Sequence, residues 1–242
     1  MKKSIIKRLF IKLSKVLGYE IIDQSNFSSP TLQKELNEDL SVINKKSIIL
    51  PLGEVKITKK VNSVLIIFRT NTDVEIWDQN KKRLFEKPKI EYSLRALKSL
   101  IRSINFSKTK YPNIRFKTII VDDKSNEENL NKLKKLIDES DLDMSITPLN
   151  HDKYKDTIKQ QKSDQTFSNL ASLLQSFELG KEHGEDLVFF VEDDYLHFEP
   201  MMEEMIASFE RIASQVNNDI FMCPADYPYL YMNNEKTNIL IG

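Results

Sequence analysis

The chain is poor in cysteine and glycine and has no excess of charge, and each shortage counts against one kind of bond, motif or partner. Its one cysteine, Cys223, has no partner for an intramolecular disulfide, which fits a reducing compartment. Its five glycines form neither a G-x-G-x-x-G sequence nor a P-loop, so the glycine-rich phosphate loops are excluded. Basic and acidic residues balance at 36 each, so no overall positive field attracts a nucleic acid, and none is expected as a partner.

Long hydrophobic runs are also missing from the 242 residues. No apolar stretch approaches the roughly 20 residues that a membrane-spanning helix needs. Basic residues interrupt the apolar ones near the N-terminus, so no signal peptide is predicted. With 40% hydrophobic and 30% charged residues, the chain has the composition of a globular protein, long enough for one large domain or for a domain with a small extension.

The first residues combine apolar side chains at helical spacing with positive charge. Apolar residues recur with a helical period over residues 4–17, and Gly18 favours a helix end. The charged residues among them are all basic. Such a helix can lie on an anionic membrane surface, or it can dock on its own domain with its lysines solvated. The first alternative predicts peripheral membrane contact through residues 2–17.

From residue 61 onward, short apolar runs alternate with segments of helical period. The runs of strand type are 64–68, 116–121, 144–149, 187–191 and 220–223. The segments of helical period are 90–104, 130–137, 167–179 and 200–216. This alternation predicts an α/β fold with a mostly parallel sheet and helices on both faces. Residues 1–60 are expected to form an N-terminal extension, and residues 61–242 the main domain.

Three acids directly follow the apolar run Leu187–Val191, which predicts a strand buried on both faces. Glu192, Asp193 and Asp194 cannot share that burial, so they must emerge at the carboxyl edge of the sheet, where open α/β sheets bind ligands. Packed together they repel one another unless a cation or hydrogen-bond donors compensate. Carboxylates suit Mg²⁺ or Mn²⁺ with substrate phosphates, which predicts a metal–diphosphate site. The alternative is a solvated acidic loop.

A second pair of acids, Asp122 and Asp123, follows the apolar run at 116–121. A carboxylate at this place can accept hydrogen bonds from a nucleobase or from a ribose hydroxyl. The alternative is local, because Ser125 and Glu128 match a capping box and the acids favour the start of the next helix.

Three further residues have two interpretations each. Arg69 and Thr70 directly follow the first apolar run. Arg69 either binds the diphosphate or the base of a ligand, or it belongs to a surface turn. His197 lies three residues beyond Asp194, where it either approaches a metal or is an ordinary histidine at the start of a helix. Cys223 is expected to be core filler and not a nucleophile.

In their order along the chain, these features resemble the GT-A nucleotide-sugar glycosyltransferases, in particular the family 2-like members. Val121 to Ser125 matches their V-D-D-x-S motif, and Val191 to Asp194 matches the E-D-D variant of their D-x-D metal motif. The resemblance covers about residues 61–226. It implies a Rossmann-like GT-A fold and transfer of a sugar from a nucleotide-diphosphate sugar to a glycan or lipid-linked acceptor during cell-surface polysaccharide assembly.

The resemblance also implies roles for the site residues. The residues expected to bind the nucleotide-sugar are Arg69, Thr70, Asp122, Asp123, Glu192 and Asp193. The expected ligands of Mn²⁺ or Mg²⁺ are Asp194, as the principal one, and Asp193. A cytoplasmic enzyme, peripheral on the inner face of the membrane, is the expected setting.

The family normally continues well past its metal motif, whereas 48 residues follow Asp194 here. That later part carries the acceptor site and, in inverting enzymes, the catalytic base, for which Asp226 is the one late candidate. The domain is therefore expected to be truncated, which leaves a catalytically inactive nucleotide-sugar-binding or scaffold protein as an alternative. A sugar-phosphate nucleotidyltransferase is the other alternative, although the glycine-rich loop expected of it near the first strand is missing.

Overall fold

The structure is a computed structural model that describes residues 13–14, 16–17, 55–74, 87–158 and 163–224. Its strands are β1 (Ser63–Thr70), β2 (Arg115–Asp122), β3 (Asp143–Pro148) and β4 (Leu187–Glu192). Its helices in this part of the chain are α1 (Lys89–Lys110), α2 (Glu127–Asp138), α3 (His151–Tyr154), α4 (Asp164–His183) and α5 (Met201–Val216).

The four strands form one sheet in the order β3-β2-β1-β4, and every neighbouring pair is parallel. Parallel neighbours need a crossover between them. Helix α1 connects β1 to β2, α2 connects β2 to β3, and α3 with α4 connect β3 to β4. The predicted α/β class is therefore confirmed, and the arrangement is consistent with a Rossmann-like GT-A fold.

Strand β1 has a neighbour on each side and helices over both faces, so its apolar residues are buried on both faces. Val64 to Phe68 are each at most 3% exposed. Successive side chains of a strand point to opposite faces. At the end of β1, Arg69 accordingly reaches Asn169 of α4, whereas the next residue, Thr70, lies beside Ser93 of α1 through a shared partner. Helices α1 and α4 thus lie on opposite faces of the sheet.

Strand β4 differs from its prediction, which was a strand buried on both faces. Val191 is buried, but Phe190 is 41% exposed and Leu187, Val188 and Phe189 are half-buried, whereas Glu192 is exposed as expected. The reason is its place in the sheet: among the described residues β4 pairs with β1 alone, so it is an edge strand. A continuous apolar run does not distinguish an edge strand from a central one.

A fifth strand was predicted at 220–223, and this prediction is wrong. Residues 219–224 have no regular secondary structure, and no described strand pairs with them. Cys223 is exposed, so its prediction as core filler is wrong as well. A short apolar run without a neighbouring strand gains neither ladder hydrogen bonds nor burial.

The chain divides into two compact units, one made of Met1–Lys60 with Ala207–Gly242 and the other of Val61–Ile206. The whole sheet belongs to the second unit. In the first, the backbone N–H groups of Thr58 and Lys59 both donate to the Ser214 hydroxyl at 3.0 Å. Most of residues 2–17 lies outside the described residues. The described helices include none with the length and apolarity to cross a bilayer.

Candidate functional site

The carboxyl ends of β1, β2 and β4 bring the predicted site residues to one edge of the sheet. In the register of the strands, Arg69 lies opposite Glu192, and Thr70 lies opposite Asp122. The acids that follow β2 and β4 directly therefore emerge beside one another, as the strand-end rule predicts. Asp226 lies outside the described residues.

The three acids of the E-D-D segment do not point in the same direction. Glu192 lies on the α4 side, where it forms a close ion pair with the Arg69 guanidinium. A second guanidinium nitrogen of Arg69 donates to the Asn169 side-chain oxygen at 3.1 Å. Arg69 thus ties β1, β4 and α4 together while it neutralises the first acid.

Asp193 turns to the other face and is 6% exposed. The Lys89 ammonium donates to its Oδ1 at 2.6 Å. The hydroxyls of Thr70 and Ser93 donate to its Oδ2 at 2.8 and 2.6 Å. A buried carboxylate is tolerated when a cation and hydrogen-bond donors compensate it, and here every donor comes from the protein.

Asp194, the third acid, is exposed and makes no hydrogen bond or ion pair in the described part of the chain. Repulsion within the triplet is relieved because two of its members have their own cations. The result is one uncommitted carboxylate at the carboxyl edge of the sheet.

The strand-end carboxylates determine whether the predicted divalent cation has ligands here. The described residues contain no group of three or more His, Cys, Asp or Glu side chains placed to hold a metal. Mg²⁺, however, commonly binds through one or two carboxylates together with substrate phosphates and water. Asp194 fits that requirement. Asp193, the second expected ligand, is buried, and each of its oxygens already accepts a hydrogen bond from a protein donor.

Asp122 is 4% exposed and only half satisfied. Its Oδ2 accepts a hydrogen bond from the Ser125 backbone N–H at 3.1 Å, whereas its Oδ1 is buried without a partner in the part of the chain that the structure describes. Burial raises the pKa of the Asp122 carboxyl, against the opposing effect of the Ser125 hydrogen bonds. A buried acceptor without a donor is rare in native proteins and calls for an explanation.

Asp123, by contrast, has a partner on each oxygen. Its Oδ1 lies 2.7 Å from Nε2 of His151, and its Oδ2 accepts from the Asn71 amide at 3.1 Å. The His151 ring stacks on Phe167 of α4, with ring centroids 5.9 Å apart. Lys124, the next residue, has a φ of 60°, a left-handed conformation that costs a non-glycine residue about 1 kcal/mol or more.

The capping-box alternative for this loop is wrong. The N-cap of α2 is Asn126, whose side chain accepts from the Asn129 backbone N–H at 2.9 Å. The Ser125 hydroxyl accepts instead from the Thr72 backbone N–H at 3.0 Å. Ser125 therefore joins the loop after β2 to the loop after β1, which keeps the two strand ends together.

The segment that follows Asp194 is attached to a row of serines on α1. The Ser99 hydroxyl accepts from the His197 backbone N–H at 2.9 Å and lies 3.2 Å from His197 Nδ1. The Ser103 hydroxyl accepts from the Met202 backbone N–H at 3.0 Å. Burial lowers the pKa of His197. These contacts of His197 hold the loop after Asp194 against α1, and none of those in the described residues is with Asp194 itself.

Several site residues give no signal in the sequence. Lys89 and Ser93 follow no strand, so no strand-end rule singles them out, and only the packing of α1 brings them to Asp193. His151 comes three residues after Pro148, the last residue of β3, so the rule applied to β2 and β4 extends to it. Asn71 directly follows Arg69 and Thr70, and its amide is recognisable as a partner only once Asp123 is placed beside it.

A cavity of about 660 Å³ opens beside this edge, between the end of β3, α3 and α4. Polar side chains that line it already have hydrogen-bond partners within the protein. Gln175 bridges the Asn150 N–H and the Pro148 carbonyl, and Lys153 donates to Glu178 at 2.6 Å. The strand-end site offers a ligand more open groups than this cavity does.

Comparison with known proteins adds no argument to the geometry. No protein-family model matches the chain, and no curated protein matches it significantly. The crystal structure of S. aureus TarS 1–349 aligns with a TM-score of 0.33 and 18% sequence identity, over 61% of this chain and 32% of that one. The chain thus spans about a third of the length of that structure, and a likeness at this level bears on neither activity nor ligands.

Proposed function

We propose that this chain binds a nucleotide-diphosphate sugar at the carboxyl edge of its sheet. It would be the donor-binding part of a glycosyltransferase whose acceptor is a glycan or a lipid-linked sugar. One observation carries the proposal: Asp194 is exposed and has no partner among the described residues, while its two neighbours in the triplet are held by Arg69 and Lys89. An acid kept available in this way suits a ligand that brings phosphate oxygens and a divalent cation.

Mn²⁺ or Mg²⁺ would be held by Asp194 together with the donor diphosphate. When bound, the cation neutralises negative charge that develops on the diphosphate as the sugar leaves. Glu192, exposed beside Arg69, is available to accept from a ribose hydroxyl.

Asp122 is the residue that we assign to the nucleobase. Its buried Oδ1 lacks a donor, and an imide N–H of a base supplies one. Asp123 is occupied by His151 and Asn71, so we assign it to holding the loop in place. The sequence leaves the choice between the two acids open, and the proposal takes Asp122.

The acceptor half of the reaction rests on Asp226, which we propose as the catalytic base. Kinetic measurements distinguish the role proposed for Asp226 from a role in donor binding. A base should change the rate of transfer without changing the affinity for the nucleotide. If the chain binds donor but neither hydrolyses nor transfers it, the nucleotide-sugar-binding alternative takes the place of the enzyme.

The test is calorimetric titration of UDP and GDP, with and without Mn²⁺, into wild type and Asp194→Ala. We expect metal-dependent binding of one nucleotide by wild type, and a loss of about tenfold or more in Asp194→Ala, because a metal ligand has been removed. Asp138→Ala is the matched control, since Asp138 is also exposed and makes no hydrogen bond or ion pair in the described residues, but lies at the end of α2.

Two results would contradict the proposal. One is a folded wild-type protein that binds neither nucleotide in the presence of Mn²⁺. The other is metal-dependent binding that Asp194→Ala and Asp138→Ala retain equally, which would place the ligand somewhere else.

A further inference from the structure

We propose that Lys89 and Ser93, on the first turns of α1, are positioning residues for the donor site. They act through Asp193: by holding its carboxylate inside the protein, they keep the adjacent Asp194 turned outward to receive the cation and the diphosphate. This inference rests on the proposed function and adds two residues to it that follow no sequence motif.

The geometry around Asp193 is that of a buried anchor. Its side chain is 8% exposed and that of Lys89 is 14% exposed, so the ion pair between them is largely withdrawn from solvent. Ser93 adds a hydrogen bond at 2.6 Å to the oxygen that Lys89 does not contact. A third donor, Thr70, comes from β1. Donors from two elements thus bond both oxygens and favour one orientation of the carboxylate.

The position of Lys89 in its helix supports a specific role. It is the first residue of α1, and its N-cap, Pro88, makes no side-chain hydrogen bond to the helix. The N-terminus of a helix carries a partial positive charge, so a lysine there is electrostatically unfavourable. The ion pair with Asp193 offsets that cost, which gives a physical reason for a cation at this place.

The edge position of β4 explains why such an anchor is needed. Among the described residues β4 is paired on one side only, by β1, and this ladder ends at Arg69 and Glu192. Asp193 and Asp194 lie beyond the last paired residue. Beyond the ladder, helix α1 holds the chain through Lys89 and Ser93 at Asp193 and through Ser99 at His197, and Thr70 of β1 adds a hydrogen bond to Asp193.

A competing role for Lys89 is direct contact with the donor phosphates, because its ammonium lies close to the site. Ser93 separates the two possibilities. Its hydroxyl carries no charge and donates to Asp193 in the structure, so Ser93→Ala removes an anchor without changing the net charge of the site. Lys89→Arg keeps the charge and can keep the ion pair, so it serves as the conservative replacement.

The experiment measures the affinity for whichever of UDP and GDP wild type prefers, with and without Mn²⁺. The variants are Lys89→Met, Lys89→Arg and Ser93→Ala. Lys110→Met is the matched control, because Lys110 is the last residue of α1 and pairs with Glu203 far along the helix from Lys89. Urea unfolding of each variant establishes that it is folded at the temperature of the titration.

We expect Lys89→Met to reduce the metal-dependent gain in nucleotide affinity by about tenfold, the size typical of a residue that orients a metal ligand. Ser93→Ala should reduce it in the same direction by a smaller factor, Lys89→Arg should restore most of it, and Lys110→Met should leave it unchanged. Metal-free nucleotide affinity should stay within about twofold of wild type throughout.

The contrary outcomes are distinct from one another. Equal losses with and without metal in Lys89→Met, together with an unaffected Ser93→Ala, would make Lys89 a phosphate ligand and overturn the positioning role. Unchanged metal dependence in both variants would overturn the inference and leave the proposed function intact. A folded wild type that binds neither nucleotide would overturn both.

Discussion

At the scale of single residues, the strand-end acids differ by their partners and not by their sequence context. Glu192 and Asp193 each have a cation, and Asp123 has a histidine and an amide. Asp122 is bonded on one oxygen only, and Asp194 makes no bond within the described residues. A ligand would complete both acids, but Asp194 is exposed to water, so function and local stability oppose each other at Asp122, whose unpaired oxygen is buried.

Asp122→Asn is expected to stabilise the protein at neutral pH. Because its pKa is raised in the folded state, the stability that Asp122 contributes is present below its unfolded pKa of 3.8 and is lost as pH rises through the folded value. A neutral amide avoids that loss. Urea unfolding between pH 4 and pH 8 should find the variant more stable than wild type by about 1 kcal/mol at pH 7, with the advantage shrinking toward pH 4.

The same variant should bind nucleotide more weakly, because an amide nitrogen cannot accept the hydrogen bond that Oδ1 would. Asp123→Asn is the comparison, since it alters an acid that is already paired with His151. It should lower stability at pH 7, where Asp122→Asn raises it. A stability difference that does not change with pH would refute the explanation by burial.

At the scale of elements, α4 and β4 approach each other closely at two glycines. A Cβ on Gly184 would lie 2.5 Å from the Gly180 carbonyl oxygen and would also overlap the Val188 side chain. A Cβ on Gly180 would lie 2.9 Å from the tip of the Phe190 ring, and that ring is partly exposed. Backbone cannot move aside as cheaply as the end of a side chain.

Gly184→Ala should therefore lower the free energy of unfolding by about 1–3 kcal/mol, as overpacking does. Gly180→Ala should change it by less than about 1 kcal/mol, because the better helix propensity of alanine offsets the displacement of Phe190. Urea unfolding of the two variants beside wild type makes the comparison. Equal losses in both would mean that the ring is as immobile as the backbone.

The sequence predicts those elements whose burial shows as a continuous or periodic run of apolar residues. β1 is apolar from Val64 to Phe68 and β2 from Ile119 to Val121, so their type, their parallel pairing and the acids at the end of β2 follow from the chain alone. The edge position of β4 does not follow, since a run such as Leu187–Val191 is the same whether a strand has one neighbour or two. Lys89 and Ser93 depend on how α1 packs, and no short-range pattern encodes that.

At the scale of the whole molecule, equal numbers of acidic and basic residues hide an uneven distribution. The first 19 residues contain basic residues but no acidic ones. Leu13, Val16 and Leu17, the apolar residues described there, are 56%, 84% and 65% exposed. Exposed apolar side chains among lysines are the combination that binds anionic lipid surfaces.

We therefore expect the protein to sediment with vesicles containing phosphatidylglycerol and not with vesicles of phosphatidylcholine alone. Replacing Lys7, Arg8 and Lys12 with glutamate should abolish this binding, and raising the salt concentration should weaken it, because the attraction to the surface is screened. Co-sedimentation at low and high salt measures both effects.

The control reverses three exposed lysines of α2, Lys132, Lys134 and Lys135, and so changes the net charge by the same amount. It should bind vesicles as wild type does. If both triple variants lose binding equally, overall charge and not the N-terminal segment determines it. A wild type that fails to sediment with the anionic vesicles ends the proposal of membrane contact.

The order of strands in the sheet also has a consequence for synthesis on the ribosome. β1 meets one neighbour early, since Asn71 and Asp123 are 52 residues apart, but Thr70 waits for Asp193, 123 residues later. At about 5–20 residues per second, that interval lasts roughly 6–25 seconds. Throughout it, one side of an apolar strand has no partner and can pair with another nascent chain. Neighbouring ribosomes on one message, or slow codons before residue 187, therefore pose the main hazard of aggregation, and chaperone demand should peak before β4 emerges.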